Sequence, residues 1–376
     1  MIHPIANASG ILYRHAIKPI LFLQSPDRVH AATVRLGASV SHVPGVNSLL
    51  KSILRFDRPE TLSQSIDGVH FPNPVGLAAG LDKNAELLPL LPAVGFGFST
   101  IGSVTYLPCE GNPKPWYFRL PKHKSLVVHN GLANDGAEKV LAHVSTIRPK
   151  SLLRHPVVLS VAKTNIREVC TDEAAIADYV GSLKLLRDNE AVSIIEINIS
   201  CPNTFGGEPF TDAPRLDQLL RAVDGVGLHQ PVWIKMPINL QWDEFNSLLD
   251  VIVTHSVQSV TIGNLNKSRE SLATGDLADT IQGNLSGLPT QALSDRLIEQ
   301  TYRTYGDRLT IIGVGGVFSA EDAYRKICLG AHLVELITGV VYEGPQLVGQ
   351  INRDIDKYLR RDGFTNISEA VGSHAS

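Results

Sequence analysis

The sequence predicts a (β/α)8 TIM barrel of the α/β class with a small N-terminal helical extension. Short apolar runs alternate with amphipathic segments from residue 75 onward, which is the pattern of a parallel sheet covered by helices. The number of such units is eight, as a closed barrel requires. No GxGxxG follows the first run, and this disfavours the alternative of a doubly wound open sheet.

The predicted helical extension occupies residues 1–60 and contains three helix-like stretches, at 10–24, 26–40 and 46–56. Pro19 should kink or restart the first helix, and Pro26 suits the first position of the second. The extension holds more apolar side chains than a small helical pair can bury on itself. It is either a cap over the bottom or side of the barrel or an interfacial module that contacts a membrane or opens a tunnel for an apolar partner.

The predicted barrel domain occupies residues 61–376. Its strand-like runs are Val75–Ala79, Phe98–Ser103, Val157–Ala162, Ile194–Ser200, Val232–Met236, Ser259–Asn264, Leu309–Val314 and Leu333–Thr338. Several intervening helices begin with a favourable residue: Asp172, Asp243 and Ser319 can each cap or charge a first turn.

Composition excludes several classes of protein. A chain of 376 residues with 43% hydrophobic and 19% charged residues can bury a large core, and its net charge of −3 argues against a nucleic-acid partner. No apolar run is long enough to span a bilayer, and no secretion signal is recognisable. Four widely spaced cysteines without a metal-ligand pattern indicate free thiols and no bound metal. We expect a cytoplasmic protein, with peripheral contact to the cytoplasmic membrane if the extension is interfacial.

In such a barrel the working residues follow the carboxyl ends of the strands. The candidates at these positions are Gly80, Lys83, Ser160, Lys163, Asn198, Cys201, Asn203, Lys235, Asn264, Gly313–Gly316, Thr338 and Gly339. Glycines after the seventh and eighth strands favour a phosphate site there, although tight turns between strands and helices also use glycine.

Three kinds of side chain point to chemistry. Lys235 lies within an apolar strand, so it either forms a barrel-interior ion pair, for example with Glu196, or places a cation beside an electron-rich cofactor ring. Asparagines after the fourth and sixth strands suit a planar ligand with alternating C=O and N–H groups. Cys201 is either a small buried side chain or a general base.

Together these motifs resemble the dihydroorotate dehydrogenase family, the FMN enzymes of pyrimidine biosynthesis. The resemblance covers nearly the whole chain and rests on six segments in the family's order: NPVGLAAGLDKN, EGNPKP, INISCPNT, IKMP, GNLSGLP and IIGVGGV. The helical extension and the LSG motif resemble the membrane-associated, quinone-linked class 2 enzymes. Cys201 and Glu196 instead resemble the soluble class 1 enzymes, because class 2 has serine as its base.

The resemblance implies a role for each matching residue. FMN would contact Ala79, Gly80, Lys83, Ser103, Ser160, Asn198, Lys235, Gly287, Gly315, Gly316, Thr338 and Gly339. The substrate would contact Lys83, Asn198, Asn203 and Asn264. Cys201 would take the C5 proton of dihydroorotate while hydride passes from C6 to the flavin, with Lys235 as the second catalytic residue. Electrons would then pass to quinone through the N-terminal helices.

This sequence departs from the family pattern at several of these places. The family's asparagine in an N-x-M-G loop aligns with Val128, and the usual arginine after it is His129. The other departures are Ser160 for asparagine, Leu265 for threonine and Ile337 for tyrosine. His129 or Asn130 could replace the missing amide as a substrate contact.

Three functions therefore remain open from sequence. The first is a quinone-linked dihydroorotate dehydrogenase that oxidises (S)-dihydroorotate to orotate in a rebuilt pocket. The second is an FMN-dependent paralogue that acts on a different activated C–C or C=C bond, for example in secondary metabolism. The third is a barrel without redox chemistry that binds a phosphorylated metabolite for lyase or isomerase chemistry.

Overall fold

A computed structural model describes residues 3–147 and 155–375. Its strands are β1 Gln64–Ile66, β2 Val69–Phe71, β3 Val75–Leu77, β4 Phe98–Val104, β5 Tyr117–Leu120, β6 Ser125–Val128, β7 Val157–Val161, β8 Ile194–Asn198, β9 Val232–Met236, β10 Ser259–Ile262, β11 Asn284–Leu285, β12 Thr310–Val314 and β13 Leu333–Leu336.

The helices are α1 His3–Leu12, α2 Lys18–Phe22, α3 Pro26–Ser41, α4 Val46–Leu54, α5 Pro59–Leu62, α6 Leu91–Val94, α7 Ala137–Ile147, α8 Asp172–Leu186, α9 Ala213–Asp224, α10 Trp242–Ile252, α11 Gln291–Tyr305, α12 Ala320–Cys328, α13 Thr338–Glu343, α14 Leu347–Asp362 and α15 Ile367–Ala370.

Eight of the strands close into a parallel barrel in the order β3, β4, β7, β8, β9, β10, β12, β13. These are the eight runs expected from the sequence, so the barrel is confirmed and the open-sheet alternative is wrong. Neighbouring strands pair in a register that aligns Asn198 of β8 with Lys235 of β9, and Lys235 with Thr261 of β10. This register brings the polar residues of neighbouring strands to similar heights inside the barrel.

An aromatic cluster closes the amino end of the barrel. The β1–β2 hairpin supplies Phe71, which packs edge-on against Phe98 and stacks near Trp233. Asp67, in the hairpin turn, accepts hydrogen bonds from Trp233 Nε1 at 2.9 Å and from Ser259 Oγ at 2.5 Å. Because the amino end is filled with aromatic and aliphatic side chains, a ligand site is confined to the carboxyl end.

The N-terminal segment is helical, as the sequence predicts. A π-helical turn over Tyr13–Ile17 separates α1 from α2, and Pro19 lies in the first turn of α2, so the helix restarts where the proline removes a backbone donor. Pro26 opens α3, which confirms its predicted position. Tyr13 Oη donates to Val341 O at 2.8 Å, and this contact attaches the first helices to α13 at the carboxyl end of the barrel.

A small antiparallel sheet of β5, β6 and β11 accompanies the barrel. Val128 of β6 pairs with Tyr117 of β5 and with Asn284 of β11. On β5, Arg119 donates to the carbonyl of Gln24 at 2.7 Å and lies over the Phe22 ring. The sheet therefore connects the N-terminal helices with the loops at the carboxyl end of the barrel.

Candidate active site

A cavity opens at the carboxyl end of the barrel, where the parallel strands deliver their C-terminal residues. It brings together most of the residues predicted from sequence: Ala79, Gly80, Lys83, Ser103, Asn130, Asn198, Cys201, Asn203, Lys235, Asn264, Gly287, Gly315, Gly316, Thr338 and Gly339. Their convergence follows from the fold, because they come from nine different strand ends or loops, seven of them on barrel strands.

The three predicted asparagines line one wall of the cavity, where Asn198 and Asn264 bond each other and Asn203 is held separately. Asn264 Nδ2 donates to Ser200 Oγ at 2.9 Å and to Asn198 Oδ1 at 3.4 Å. Asn198 Nδ2 donates to Ser103 Oγ at 2.8 Å. Asn203 Nδ2 donates to Val128 O at 3.0 Å. Each amide is held in a fixed orientation by its neighbours, so the wall presents a preorganised set of donors and acceptors.

Cys201 follows this wall in the loop after β8 and is a free thiol. Burial raises the pKa of the Cys201 thiol to about 11, and Glu208 adds to the rise. The backbone N–H of Asn203 and the charges of Lys163 and Lys235 act in the opposite direction. The thiol is therefore protonated at neutral pH, and its use as a base requires stabilisation of the thiolate.

Lys235 projects from β9 into the cavity and is only 5% exposed. Among the residues that the structure describes, its ammonium makes no hydrogen bond and no salt bridge, and the interior ion pair with Glu196 considered from sequence is not formed. A buried cation without a partner is costly. The site therefore has an unsatisfied positive charge, which suits an electron-rich or anionic group of a ligand.

Two carboxyl groups lie in the barrel interior near Lys235. Thr261 donates to Glu196 Oε2 at 2.7 Å, and Thr100 donates to Glu335 Oε1. The second oxygen of each carboxyl is buried without a partner among the described atoms. Burial and the neighbouring Glu196 raise the pKa of Glu335 well above its usual range, against the opposing charge of Lys235. Glu335, which also lines the cavity, is therefore protonated at neutral pH.

Lys83 lies where the cavity meets the N-terminal helices. Its Nζ donates to Tyr117 Oη at 3.1 Å, and the Tyr117 ring is 5.3 Å from the ring of His30 on α3. Trp116 N donates to Asp27 Oδ1 of the same helix at 3.0 Å. Burial lowers the pKa of Lys83 to about 7, whereas Asp27 and Cys201 raise it. The charge of Lys83 thus depends on α3 as well as on the cavity.

Ser160 and His129, predicted as ligand contacts, do not line the cavity. Ser160 is fully buried behind Ser103, with 2.8 Å between the two hydroxyl oxygens. His129 is half-buried, and its Nδ1 lies 3.5 Å from Asn112 Nδ2. Ser160 can thus act on a ligand only through Ser103, whereas His129 points to the neighbouring loop. Their predicted roles in binding remain predictions.

Three departures from the family pattern lie on the cavity wall: Val128, Leu265 and Ile337. Asn130, two residues after Val128, is 6% exposed and also lines the cavity. Its Oδ1 accepts from Ala133 N at 3.0 Å, whereas its Nδ2 is buried without a partner. Compared with the family pattern, the wall therefore lacks an amide at position 128 and has an amide donor without a partner at position 130.

Sequence reasoning missed Tyr117, Ser286 and Glu335 as cavity residues. Glu335 could have been found, because a glutamate inside an apolar strand run is as unusual as Lys235. Tyr117 and Ser286 could not, because the β5–β6–β11 sheet that positions them was not predicted. Of the glycines proposed for phosphate binding, Gly315, Gly316 and Gly339 lie at the cavity, whereas Gly313 lies within β12 and does not line it. Gly315 and Gly316 have φ values of 111° and 70°, which favour glycine in any case.

The comparisons with known proteins agree with this architecture. The sequence model of dihydroorotate dehydrogenase matches residues 61–359. A protein of Mycolicibacterium smegmatis named dihydroorotate dehydrogenase (quinone) is 35% identical over 363 residues, 96% of this chain and 99% of that protein. A protein of Deinococcus deserti with the same name is 35% identical over 373 residues, 97% of this chain and all of that protein.

Two solved structures have the same fold as this chain. The crystal structure of DHODH from Eimeria tenella in complex with ferulenol has a TM-score of 0.82 at 26% identity, covering 93% of this chain and 95% of that one. The ligand-free form has a TM-score of 0.81. Within the described residues, no helix combines the length and apolarity needed to cross a bilayer. On the family match and the two bacterial relatives, this chain belongs to the dihydroorotate dehydrogenase family.

Proposed function

We propose that this protein is an FMN-dependent oxidoreductase that oxidises (S)-dihydroorotate to orotate and passes the electrons to a quinone. The observation that carries the proposal is the unpartnered Lys235 ammonium, which shares one cavity with Cys201 and the asparagine wall. The names of the relatives, dihydroorotate dehydrogenase (quinone), support the same substrate and acceptor.

The residues fit a flavin mononucleotide. Lys235 offers the unsatisfied cation that an electron-rich flavin ring edge would accept, and Ser103 and Gly287 line the same cavity. Gly315, Gly316, Thr338 and Gly339 would hold the phosphate after β12 and β13, the usual phosphate position in this fold. When bound, the flavin supplies the acceptor for the hydride that leaves C6 of the substrate.

The chain's own groups bind the substrate and move the proton. Asn198, Asn203 and Asn264 would orient the pyrimidine ring, and Lys83 would pair with the carboxylate. The Sγ of Cys201 would take the proton from C5. The electron pair of the broken C5–H bond would then form the C5=C6 double bond as hydride leaves C6. Because Asn198 and Asn264 are fixed by each other and Asn203 is fixed by Val128 and Asn284, the orientation costs little further entropy.

The N-terminal helices are the proposed site of the quinone and of peripheral membrane contact. Their exposed apolar residues include Ile11, Leu12, Ile20, Leu23, Leu36 and Leu49. The path from these helices to the cavity runs through His30 and Tyr117 to Lys83. A cytoplasmic protein that rests on the inner face of the membrane would meet both a soluble substrate and a lipid-dissolved acceptor.

Anaerobic mixing of the FMN-loaded protein with dihydroorotate tests the proposal. We expect bleaching of the flavin absorbance and recovery on addition of a soluble quinone. Cys201→Ala should retain the flavin and bleach about 10²–10⁴-fold more slowly, because the proton acceptor is lost. Absence of bleaching by dihydroorotate, with bleaching by a more apolar substrate, would instead assign the chain to a paralogue with a different substrate. Full-rate bleaching of the alanine variant would exclude Cys201 as the base.

A further inference from the structure

A second, smaller cavity adjoins the first on the side of Cys201. Cys201 and Asn198 line both cavities, and the second is completed by Lys163, Thr204 and Tyr179 among others. The proposed function gives no role to Lys163, which follows β7. Its position beside the proposed base is the starting point of the inference.

Lys163 is a buried cation with spare hydrogen-bonding capacity. It is 4% exposed, and its Nζ donates to Phe205 O at 2.5 Å in the loop that carries Cys201. An ammonium has three donors, and no salt bridge of Lys163 is formed among the described residues. Asp178, a carboxylate whose charge acts on Lys163, accepts instead from the backbone and hydroxyl of Thr164, both at 2.7 Å. The Lys163 charge is therefore available to another anion.

A Cys201 thiolate needs a nearby cation that the proposed function does not already use for a ligand. Four charged side chains interact electrostatically with Cys201: Lys83, Lys163, Lys235 and Glu208. In the proposed function Lys83 pairs with the substrate carboxylate and Lys235 with the flavin. Glu208 opposes a thiolate and is itself paired with Lys267. Lys163 is the remaining cation, and it lines the second cavity rather than the first, where both proposed ligands would bind.

We propose that Lys163 is a positioning residue that stabilises the Cys201 thiolate and fixes its loop, so that Cys201 can serve as the base; this rests on the proposed function. The thiolate forms by loss of the thiol proton to solvent. In the reaction the C5–H bond breaks and the S–H bond forms. The C5 electron pair then forms the double bond as hydride leaves C6, and the thiol returns its proton to solvent.

The test is the pH dependence of alkylation of Cys201 by iodoacetamide in the FMN-loaded protein, followed by mass spectrometry of the Cys201 peptide. A short unstructured cysteine peptide alkylated in parallel reports the intrinsic rate, because Cys170 itself interacts electrostatically with Lys163. Removal of the charge in Lys163→Gln or Lys163→Met should raise the midpoint pH of Cys201 alkylation by about one unit or more. Lys163→Arg should stay close to the native midpoint, and Lys184→Gln, at an exposed site on α8, should not change it.

The outcomes separate the two proposals, because alkylation does not involve dihydroorotate. A purely structural role of Lys163 would change the limiting alkylation rate of both neutral variants and leave the midpoint where it was, which would overturn the inference. Equal midpoints in the native, glutamine and methionine proteins would do the same. A raised midpoint in a protein that dihydroorotate cannot reduce would support the thiolate role and reject the substrate. Flavin content and thermal melting identify any variant that has not folded.

Discussion

At the scale of single residues, the most informative contrast is between Val128 and Asn130. Val128 contributes only its backbone carbonyl to the polar wall, where it accepts from Asn203. Asn130 leaves a buried amide donor without a partner, which costs on the order of 1–3 kcal/mol unless a ligand satisfies it. A ligand with an acceptor at this position would recover that free energy. We infer that the side-chain amide of Asn130 replaces the one that the family pattern has at position 128.

Lys83 makes ligand binding depend on pH. Burial lowers the pKa of its ammonium to about 7, so the charged form dominates below this pH and is lost above it. We expect the affinity for an anionic ligand such as orotate to fall several-fold from pH 6.5 to pH 8.5, measured by flavin difference spectra. Lys83→Met should bind more weakly throughout and lose this dependence, whereas Lys184→Met should keep it. An equally steep fall in Lys83→Met would assign the dependence to another group.

At the scale of elements, the sequence predicts the eight barrel strands because each has a clear apolar run. The predicted ends of several strands extend too far: the fourth ends at Asn198 rather than Ser200, since the chain turns there into the loop with Cys201. The sequence analysis does not predict the β1–β2 hairpin, although Asp67–Gly68 is a typical hairpin turn, with φ values of 52° and 76°. The β5–β6–β11 sheet has no such signal, because β11 joins it across a long sequence separation.

The candidate site was predictable to a similar extent. Positions such as Lys235 and Asn198 follow from strand ends, because the barrel fixes where those ends meet. The partners of these residues do not follow: the missing ion pair of Lys235 and the contact of Lys83 with Tyr117 depend on how separate loops pack. Sequence therefore identifies which residues reach the cavity, and the structure is needed to identify which of them remain without a partner.

The exposed apolar residues of the first helices lead to a prediction about membranes. Leu12 and Leu23 are 57% and 84% exposed, so glutamate at both positions should not disturb the fold. If these leucines enter a lipid surface, the double variant Leu12→Glu/Leu23→Glu loses about 1.5–3 kcal/mol of membrane-binding free energy per side chain. We expect its co-sedimentation with phospholipid vesicles to fall more than tenfold, while flavin bleaching by substrate in solution is kept.

The matched control for this prediction is Leu185→Glu, an exposed leucine on α8 of the barrel. It introduces one negative charge, where the double variant introduces two, on a surface without a proposed lipid contact. Its vesicle binding should equal that of the native protein. Equal binding by all three proteins would remove the membrane from the proposed function and leave the N-terminal helices as a cap over the barrel.

At the scale of the whole molecule, the barrel places ionisable groups at its centre rather than an entirely apolar core. Glu196 comes from β8, Lys235 from β9 and Glu335 from β13, and threonines of β4 and β10 hydrogen-bond the two carboxyls. Their mutual distances are fixed by closure of the barrel and by no single element. The protonation of this centre is therefore coupled to the stability of the complete barrel.

This coupling predicts how stability varies with pH. A carboxyl in the unfolded chain loses its proton near pH 4–5, whereas native Glu335 keeps its proton to higher pH because its pKa is raised. Between these values the native state binds more protons than the unfolded state, so the free energy of unfolding falls as pH rises.

Glu335→Gln keeps an acceptor for Thr100 and has no proton to lose. We expect it to be more stable than the native protein by on the order of 1 kcal/mol at pH 8, with a smaller gain at pH 5. Urea denaturation at constant FMN excess, monitored by circular dichroism from pH 5 to 8.5, measures this. Glu138→Gln, at an exposed site on α7, should follow the native curve. A glutamine variant less stable than the native protein at every pH would mean that Glu335 is ionised and that its charge stabilises Lys235.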